Sequence, residues 1–483
     1  MYDEAWFLRI LDRLESGDVL YRDVWFSSTP LAVFGGMAFV SVFGTEVLAL
    51  KAFVVLIFVL ITLVSCRIDR QLGSRSRFHL FLILAFLVYA LRSDAPTTQL
   101  AILFLLVAFS AALTWKARRV AAGDGATLAP VAPLVVGGAA AGLAFATKQN
   151  VGFLALSAFV LVLMVEAKGA GLRQRAAGLL AVALPFVLVI AAVSVPLLVS
   201  GGWDRFIYHG FHDQEIYLRV SSSVSYQQGL GMLWEILVTI RSPEQLRDLL
   251  AYAAYLFPIA AFAALLASRL VAGRDPQGRG RVVLFFVTAG FLAVFPIVDR
   301  GHLAYVTPVV FLGLAYGVRR LRPRLPTNLS RLAGGAAILV LAMILAYNLV
   351  APLRRAASDA FHVSTLPHFR GALARSVDET RVRHEAQVLT EEIGTDRAFL
   401  LFTTPNVHYL VSGLDNPTPF DFPIAQVFGA KGQQEVIAAI EDGRIDVVCL
   451  APQGGLLTPL ESYVRRSMSP GLDVGTCTIY RSG

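Results

Sequence analysis

From Leu31 to Val350 the chain is apolar in one run after another, interrupted only by short polar connectors. The runs fall at about 31–44, 46–65, 78–92, 97–115, 129–147, 150–166, 176–199, 250–268, 282–298, 303–318 and 333–350. So much apolar surface cannot be hidden in one water-soluble core, so the expected solvent for this part is a lipid bilayer. An upright crossing takes ~20 apolar residues. Several runs are shorter, as expected where helices are broken or pack around a cavity. Composition agrees, with 56% hydrophobic and 16% charged residues against roughly 25% charge in a soluble domain. The expected fold class is a polytopic α-helical membrane protein of about 10–11 apolar segments with a small C-terminal α/β domain.

The net charge of +8 is unevenly spread. The tail from Arg354 carries 12 Lys/Arg against 15 Asp/Glu, whereas the part before it is net +11. The basic residues cluster between apolar runs, so they read as topology determinants rather than as a nucleic-acid surface. Arg67, Arg70, Arg75 and Arg77 form one connector; Lys116, Arg118 and Arg119 a second; Lys168, Arg173 and Arg175 a third. Arg269, Arg274, Arg279 and Arg281 form the fourth, and Arg319, Arg320, Arg322 and Arg324 the fifth. Two apolar runs separate each from the next, which puts all five on one side, the cytoplasmic one. If 31–44 also crossed, residues 1–30 would join them. Either 31–44 is re-entrant or interfacial, or the Arg67–Arg77 connector lies on the other side; at fourteen residues 31–44 is short for a span, which favours the first. No cleavable signal peptide is expected, because the first fifteen residues are charged rather than apolar.

After Pro352 the composition becomes that of a soluble domain. Residues 370–393 carry charge on a helical period, 398–402 and 445–450 read as buried strands, 435–441 and 459–466 as helices, and 475–480 as a closing strand. Gly454-Gly455 lacks the flanking pattern of a phosphate loop and reads as a turn. Cys66, Cys449 and Cys477 are too few for a disulfide framework. Cys449 and Cys477 are expected to be buried thiols, able to pair only if the fold brings them together.

Asp3-Glu4 stands at the edge of this apolar region, followed by Gly17-Asp18, Tyr21-Arg22-Asp23 and Thr29-Pro30-Leu31. Carboxylates beside a membrane domain are costly unless they face water or a polar cavity. The alternative is a solvated acidic helix start. In its context the pair resembles the first extracytoplasmic loop of the polytopic GT-C glycosyltransferases, in particular the family 39 group of protein O-mannosyltransferases and lipid A aminoarabinose transferases. Ser93-Asp94-Ala95-Pro96, Lys148-Gln149-Asn150 and Asp299-Arg300-Gly301-His302 resemble further patterns of that family more loosely. Family members carry a membrane helix before the acidic pair, whereas here the pair is at residues 3 and 4. The lipid A transferases have a lysine before the proline near Pro30, where this chain has Ser28-Thr29, which argues against lipid A chemistry.

The resemblance implies Asp3 as the base that takes the acceptor's proton, with Glu4 orienting it. Lys148, Arg300, His302 and Arg22 are the candidate phosphate ligands, an arginine fork suiting two phosphate oxygens. Asp23, Asp94 and Gln149 are candidate cavity-lining residues. Each has a plainer reading: Arg22–Asp23 as a surface pair, Asp94 as a helix cap, Lys148 as a snorkelling cation, and 299–302 as an interfacial loop. His209, His212 and Asp213 lack the spacing of a zinc site, and with Tyr208, Phe211 and Tyr217 an in-plane amphipathic segment is expected.

The resemblance implies an inverting glycosyltransferase in a bacterial inner membrane. A polyprenyl-phosphate sugar would be the donor, and a glycan, lipid or protein the acceptor, met on the extracytoplasmic face. Its expected domains are a first outer loop, 1–30, a multi-span domain, 31–350, with an outer loop at 200–249, and an extracytoplasmic α/β domain, 351–483. No cofactor is implied, and a divalent metal is not indicated. The alternatives are a secondary transporter or lipid flippase, for which no convincing internal repeat is visible, and an O-antigen ligase or polymerase, which would place its large loop between spans.

Overall fold

The computed structural model describes residues 2–74, 96–122, 131–166, 171–212, 225–241, 255–273, 275–295, 298–324, 326–328, 353–394, 396–422, 424–452 and 458–482, with single residues or pairs at 245, 248–249, 252 and 350. The expected runs 78–92 and 333–350 lie almost wholly outside them, as does Asp94.

The membrane part consists of α1 (Tyr2–Glu15), α2 (Leu31–Phe43), α3 (Val47–Gln71), α4 (Thr97–Ala122), α5 (Ala132–Thr147), α6 (Gln149–Glu166) and α7 (Leu172–Ser200). It continues through α8 (Trp203–Ile207), a π-turn at Tyr208–His212, α9 (Tyr226–Thr239), α10 (Leu256–Val271), α11 (Arg279–Leu292) and α12 (Arg300–Leu321). Among the described residues, α3, α4, α6, α7 and the stretch Gly301–Arg324 are long and apolar enough to cross a membrane, while α2, α5 and α10 are shorter apolar helices. The chain is a multi-pass membrane protein. On α7 the side chains of Leu180, Leu184, Val187 and Leu188 are more than half exposed, as a lipid-facing helix requires. On its other side, a Cβ at Gly138 of α5 would stand 2.1 Å from the Val182 carbonyl oxygen. The missing side chain is what lets these two backbones meet. The helices run past the apolar runs because Arg67, Arg70, Arg118 and Arg119 continue the helical register into the polar zone.

The ends of the bundle differ. At one end, the basic connectors converge on buried carboxylates. Arg319 of α12 pairs with Asp69 of α3, and Lys116 of α4 and Arg281 of α11 both pair with Glu166 of α6, the latter at 2.8 Å. The other end carries the C-terminal unit.

That unit comprises β1 (Phe361–Val363), β2 (Leu373–Arg375), α13 (Ser376–Ile393), β3 (Ala398–Leu401), α14 (Pro405–Ser412), α15 (Gly429–Glu441), β4 (Val447–Leu450), α16 (Pro459–Ser467), β5 (Ser469–Asp473) and β6 (Thr478–Arg481). Its main sheet has the order β3-β4-β6-β5, with β3 and β4 parallel and fully buried and the remaining pairs antiparallel. The strands and helices expected from the pattern are present. The β1–β2 hairpin, α14 and β5 were not anticipated. The thiol expectation is corrected: Cys449 and Cys477 form a disulfide with Cα atoms 5.5 Å apart, because the pairing of β4 with β6 sets Cys449 opposite Ile479 and so brings Cys477, just before β6, diagonally across from it. Only Cys66 is a free cysteine.

The segment expected as an outer loop, 1–30, begins instead as a helix. Asp3 and Glu4 occupy the first turn of α1, where negative charge complements the helix dipole. Its apolar residues, Ala5 to Leu8, Ile10 and Leu11, are buried almost all round, between α2 on one side and the C-terminal unit on the other. Arg13 donates to the Thr418 carbonyl and to Asp421 Oδ2, both at 2.8 Å, and Arg9 donates to the Leu414 carbonyl at 3.5 Å.

The 13 residues of α2 reach only ~20 Å at 1.5 Å per residue, short of a ~30 Å hydrocarbon layer. Both of its flanks lie at the end of the bundle that carries the C-terminal unit. Thr29 before it donates to the Phe145 carbonyl at 2.6 Å. Beyond it, the His368 ring donates to the Thr45 carbonyl at 2.7 Å and the Val47 N–H donates to the His368 carbonyl at 2.8 Å. With both flanks at that end, α2 begins and ends on the same side of the bundle. The helix 2–15, the loop after it and the tail then share one face, opposite the basic connectors.

Candidate functional site

The described candidate residues lie towards that shared face in separate neighbourhoods, Asp3 and Glu4 beside α3, and Lys148, Asp299 and His302 at the helix ends. Asp3 is exposed and Glu4 is 6% exposed. Glu4 is ion-paired with Lys51, in the second turn of α3. The pair thus has one carboxylate open to solvent and one enclosed.

Arg22 and Asp23 follow the plainer of their two readings. Arg22 donates to Asp23 at 2.7 Å and reaches the Ser200 carbonyl at the end of α7 at 3.4 Å. Asp23 also accepts the Val19 N–H at 2.9 Å. The Arg22 guanidinium, helped by that N–H, outweighs burial and holds the Asp23 carboxyl below its usual range. The pair closes the 16–29 loop, and Gly202 is pressed against it: a Cβ there would lie 2.5 Å from the Leu20 carbonyl.

Lys148 interrupts the helical path between α5 and α6, with an extended backbone at φ −154° and ψ 109°. It sits in the junction outside both helices and donates to Thr98 Oγ1, in the first turn of α4, at 3.2 Å. Burial draws its ammonium down to about 8, with the Asp299 carboxylate acting in the opposite direction. Asp299 caps α12 by accepting the His302 N–H at 2.8 Å, and its carboxylate also meets His302 Nδ1 at 2.9 Å. Burial pushes that carboxyl up, but the His302 ring and the N–H groups of His302 and Gly301 outweigh it, so it stays below its ordinary value. Lys148, Asp299 and His302 therefore belong to one polar cluster across three helix ends. Arg300 is the first residue of α12; its backbone alone is described.

Gln149 donates to the Gly210 carbonyl of the π-turn at 2.9 Å, tying the junction to the 200–249 segment. Asn150 donates to the Phe295 carbonyl at 3.1 Å, tying it to the end of α11. Beside the junction lies an apolar slot of about 100 Å³. Phe145 and Ala146 of α5, Ile190 and Val193 of α7, and Trp203 and Phe206 of α8 line it. Its α5 wall, Phe145 and Ala146, lies just before Lys148 in the chain.

No family model and no curated protein matches the chain. Solved structures do resemble it. The Archaeoglobus fulgidus oligosaccharyltransferase, in its complex with Zn and sulfate, is 12% identical with a TM-score of 0.48, covering 93% of this chain. The chain spans 64% of that protein's length. ArnT from Cupriavidus metallidurans is similar in the apo state at 15% identity and a TM-score of 0.43, covering 99% of this chain and 93% of its own. Its form bound to undecaprenyl phosphate has the same identity and coverage with a TM-score of 0.41.

Several residues of this face were missed in the sequence. Lys51 is a single lysine inside a long apolar run, and that is the signal that could have marked it as a partner for a buried carboxylate. Thr98 and Asn150 carry no such signal. His209 is packed among the rings of Trp25, Tyr208 and Phe420, at centroid distances of 6.5, 5.2 and 6.1 Å. Within the expected outer loop 200–249 the described residues form the end of α7, α8, the π-turn and α9, while Asp213 and Tyr217 lie outside the described residues.

Proposed function

We propose that this chain is a membrane glycosyltransferase of the GT-C type, similar to family 39. It would move a sugar from a polyprenyl-phosphate donor to a glycan, lipid or protein acceptor at the face that carries the C-terminal unit. The observation that carries the reading is the apolar slot whose α5 wall, Phe145 and Ala146, lies just before Lys148 in the chain. A lipid-linked donor needs an apolar groove for the prenyl chain, a cation where the groove meets the polar zone, and a carboxylate on the water side. The slot, Lys148 and Asp3 are the proposed suppliers of these. The motif resemblance at 3–31 supports the same assignment.

In this reading the prenyl chain lies against Phe145 and Trp203, and its phosphate is held by the Lys148 ammonium with Arg300 beside it and His302 at the rim. The Asp3 carboxylate takes the proton of the acceptor's hydroxyl or amine as that atom bonds to the anomeric carbon. The bond from that carbon to the phosphate oxygen breaks on the opposite side, which inverts the configuration. The polyprenyl phosphate leaves with the electron pair, stabilised by Lys148. Glu4, fixed by Lys51, orients the first turn of α1. Arg22 and Asp23 hold the loop shape and do not touch the donor. The disulfide supports an extracytoplasmic position for the C-terminal unit, because such bonds persist in oxidising compartments. A transporter or ligase reading would leave the docking of α1 onto the C-terminal unit unused.

The test is donor turnover by the full chain in nanodiscs, with a polyprenyl-phosphate sugar and cell-envelope extract as acceptor. Release of polyprenyl phosphate coupled to sugar transfer is the expected result. Absence of both binding and turnover of such donors would overturn the reading.

A further inference from the structure

At the end of the bundle remote from this site, α3, α4 and the start of α11 enclose a cavity of about 570 Å³, within the ~300–1,000 Å³ range of ligand pockets. Arg67 and Arg70 of α3, Arg118 of α4 and Arg279 of α11 line it. The buried Cys66 and Leu113 also line it, with Leu63 at its exposed side, as do Gln71 and Thr114, which are bridged by a hydrogen bond from Gln71 to Thr114 Oγ1 at 2.8 Å. Arg279 is held over the end of α3, since its Nη1 lies 3.3 Å from where a Cβ on Gly73 would stand.

Each basic residue at this end can act as a topology determinant without meeting the others. Convergence on one cavity is a different matter. The neighbouring cations of the same end are neutralised, Arg319 by Asp69 and Lys116 and Arg281 by Glu166. Among the described residues, the four arginines of the cavity have no carboxylate partner. Like charges held together repel, so the arrangement calls for a bound anion. Guanidinium forks pair with phosphate oxygens two at a time. The shape of the surroundings selects an amphiphile: Leu56, Leu60 and Leu63 form an exposed apolar strip on α3, 46%, 39% and 57% exposed, that leads along the helix to the arginines.

We propose that this cavity is a binding site for a net-anionic phospholipid, its phosphate held by Arg67, Arg70, Arg118 and Arg279 and its chains laid along α3. The site is separate from the candidate active site and stands whether or not the chain transfers sugars. Basic pockets between membrane helices are suited to such headgroups.

The experiment is lipid retention by the full chain, followed by native mass spectrometry. The protein is released from phosphatidylcholine nanodiscs that contain a minor share of phosphatidylglycerol. The parent should retain phosphatidylglycerol selectively, and millimolar inorganic phosphate should not displace it. The Arg70→Gln/Arg118→Gln double variant should retain at least about tenfold less. Ala117→Trp keeps every charge but fills the cavity from its exposed wall, and it should lose retention likewise, which separates a shaped site from diffuse attraction. An unchanged melting temperature in Ala117→Trp identifies a folded protein. Equal retention by either variant would overturn the proposal, and so would equal retention of phosphatidylcholine or displacement by inorganic phosphate. None of these readouts depends on turnover, so failure here and failure of the transferase reading are distinguishable.

Discussion

Arg13 of α1 and Asp421 of the C-terminal unit form an ion pair at 2.8 Å, with side chains only 7% and 1% exposed. Arg13 also donates to Asp18 at 2.6 Å and to the Asp23 carbonyl at 2.8 Å. Burial alone would lower its pKa, but Asp421 and Asp18 outweigh that and keep it charged. One guanidinium thus joins the first helix, the loop after it and a segment some four hundred residues away, and it fastens the C-terminal unit to α1.

Removing one partner of a buried pair leaves the other charge uncompensated, a loss of roughly 3–5 kcal/mol. Arg13→Ala and Asp421→Ala should therefore each loosen the unit, seen as faster limited proteolysis after residue 353 and a lower melting temperature. The double apolar variant Arg13→Met/Asp421→Leu should recover part of the loss. If both single variants melt like the parent, the pair is not what fastens the unit.

Asp3→Asn keeps the side-chain shape and removes basicity. Turnover should fall by roughly 10²–10⁴-fold while the affinity for a polyprenyl-phosphate analogue is unchanged. Glu4→Gln should act differently, since it unpairs Lys51 from a carboxylate that is 6% exposed, lowering stability as well as rate. Near-parent turnover in Asp3→Asn would remove it from the mechanism.

How much of this was legible in advance follows from what each feature depends on. The apolar runs and the five basic connectors could be read because length, hydropathy and charge are local properties. Arg319 meeting Asp69 is the structural form of that pattern. The strands at 398 and 447 could be read because both are buried on both faces. The docking of α1 could not. Arg9 and Arg13 look like the polar stripe of an amphipathic helix, and their burial depends on Leu414, Thr418 and Asp421, far away in the chain. The same holds for Cys449 and Cys477, whose pairing depends on strand order, and for Lys51, whose partner lies on another helix. At the candidate site Lys148 stood out as a charge between apolar runs, but its Asp299 and Thr98 neighbours are set by tertiary packing.

The disulfide provides a check on sidedness. Under denaturing, non-reducing conditions one thiol, Cys66, should titrate, and three after reduction. A loop of 28 residues closed by such a bond corresponds to about 3–4 kcal/mol of stabilisation in the chain-entropy view, so reductant should lower the melting of the C-terminal unit. A reporter fused after residue 483 should be active only on the exported side. Three free thiols in protein isolated from cells, or a cytoplasmic reporter signal, would reverse the orientation and place Lys148 and Asp3 on the wrong face.

Lys148 makes the phosphate site pH-dependent in a direction that can be worked out. Its ammonium is drawn down to about 8 in the free protein, below the ordinary lysine value, so it is mostly protonated at neutral pH and progressively neutral above 8. A phosphate monoester is already largely dianionic above roughly pH 6, so the ligand does not change over the same range. Bound phosphate favours the charged lysine. Affinity for a polyprenyl-phosphate analogue should therefore hold near neutrality and fall by up to about tenfold per unit above pH 8, with proton uptake on binding there. Lys148→Gln should bind about one to two decades more weakly at neutral pH and lose this dependence. Arg300→Gln should weaken binding by a similar factor while keeping it, since an arginine does not titrate in this range. Parent binding that stays flat from about pH 7 to about pH 9 would show that Lys148 does not meet the phosphate, and a tight Lys148→Gln variant would move the site elsewhere.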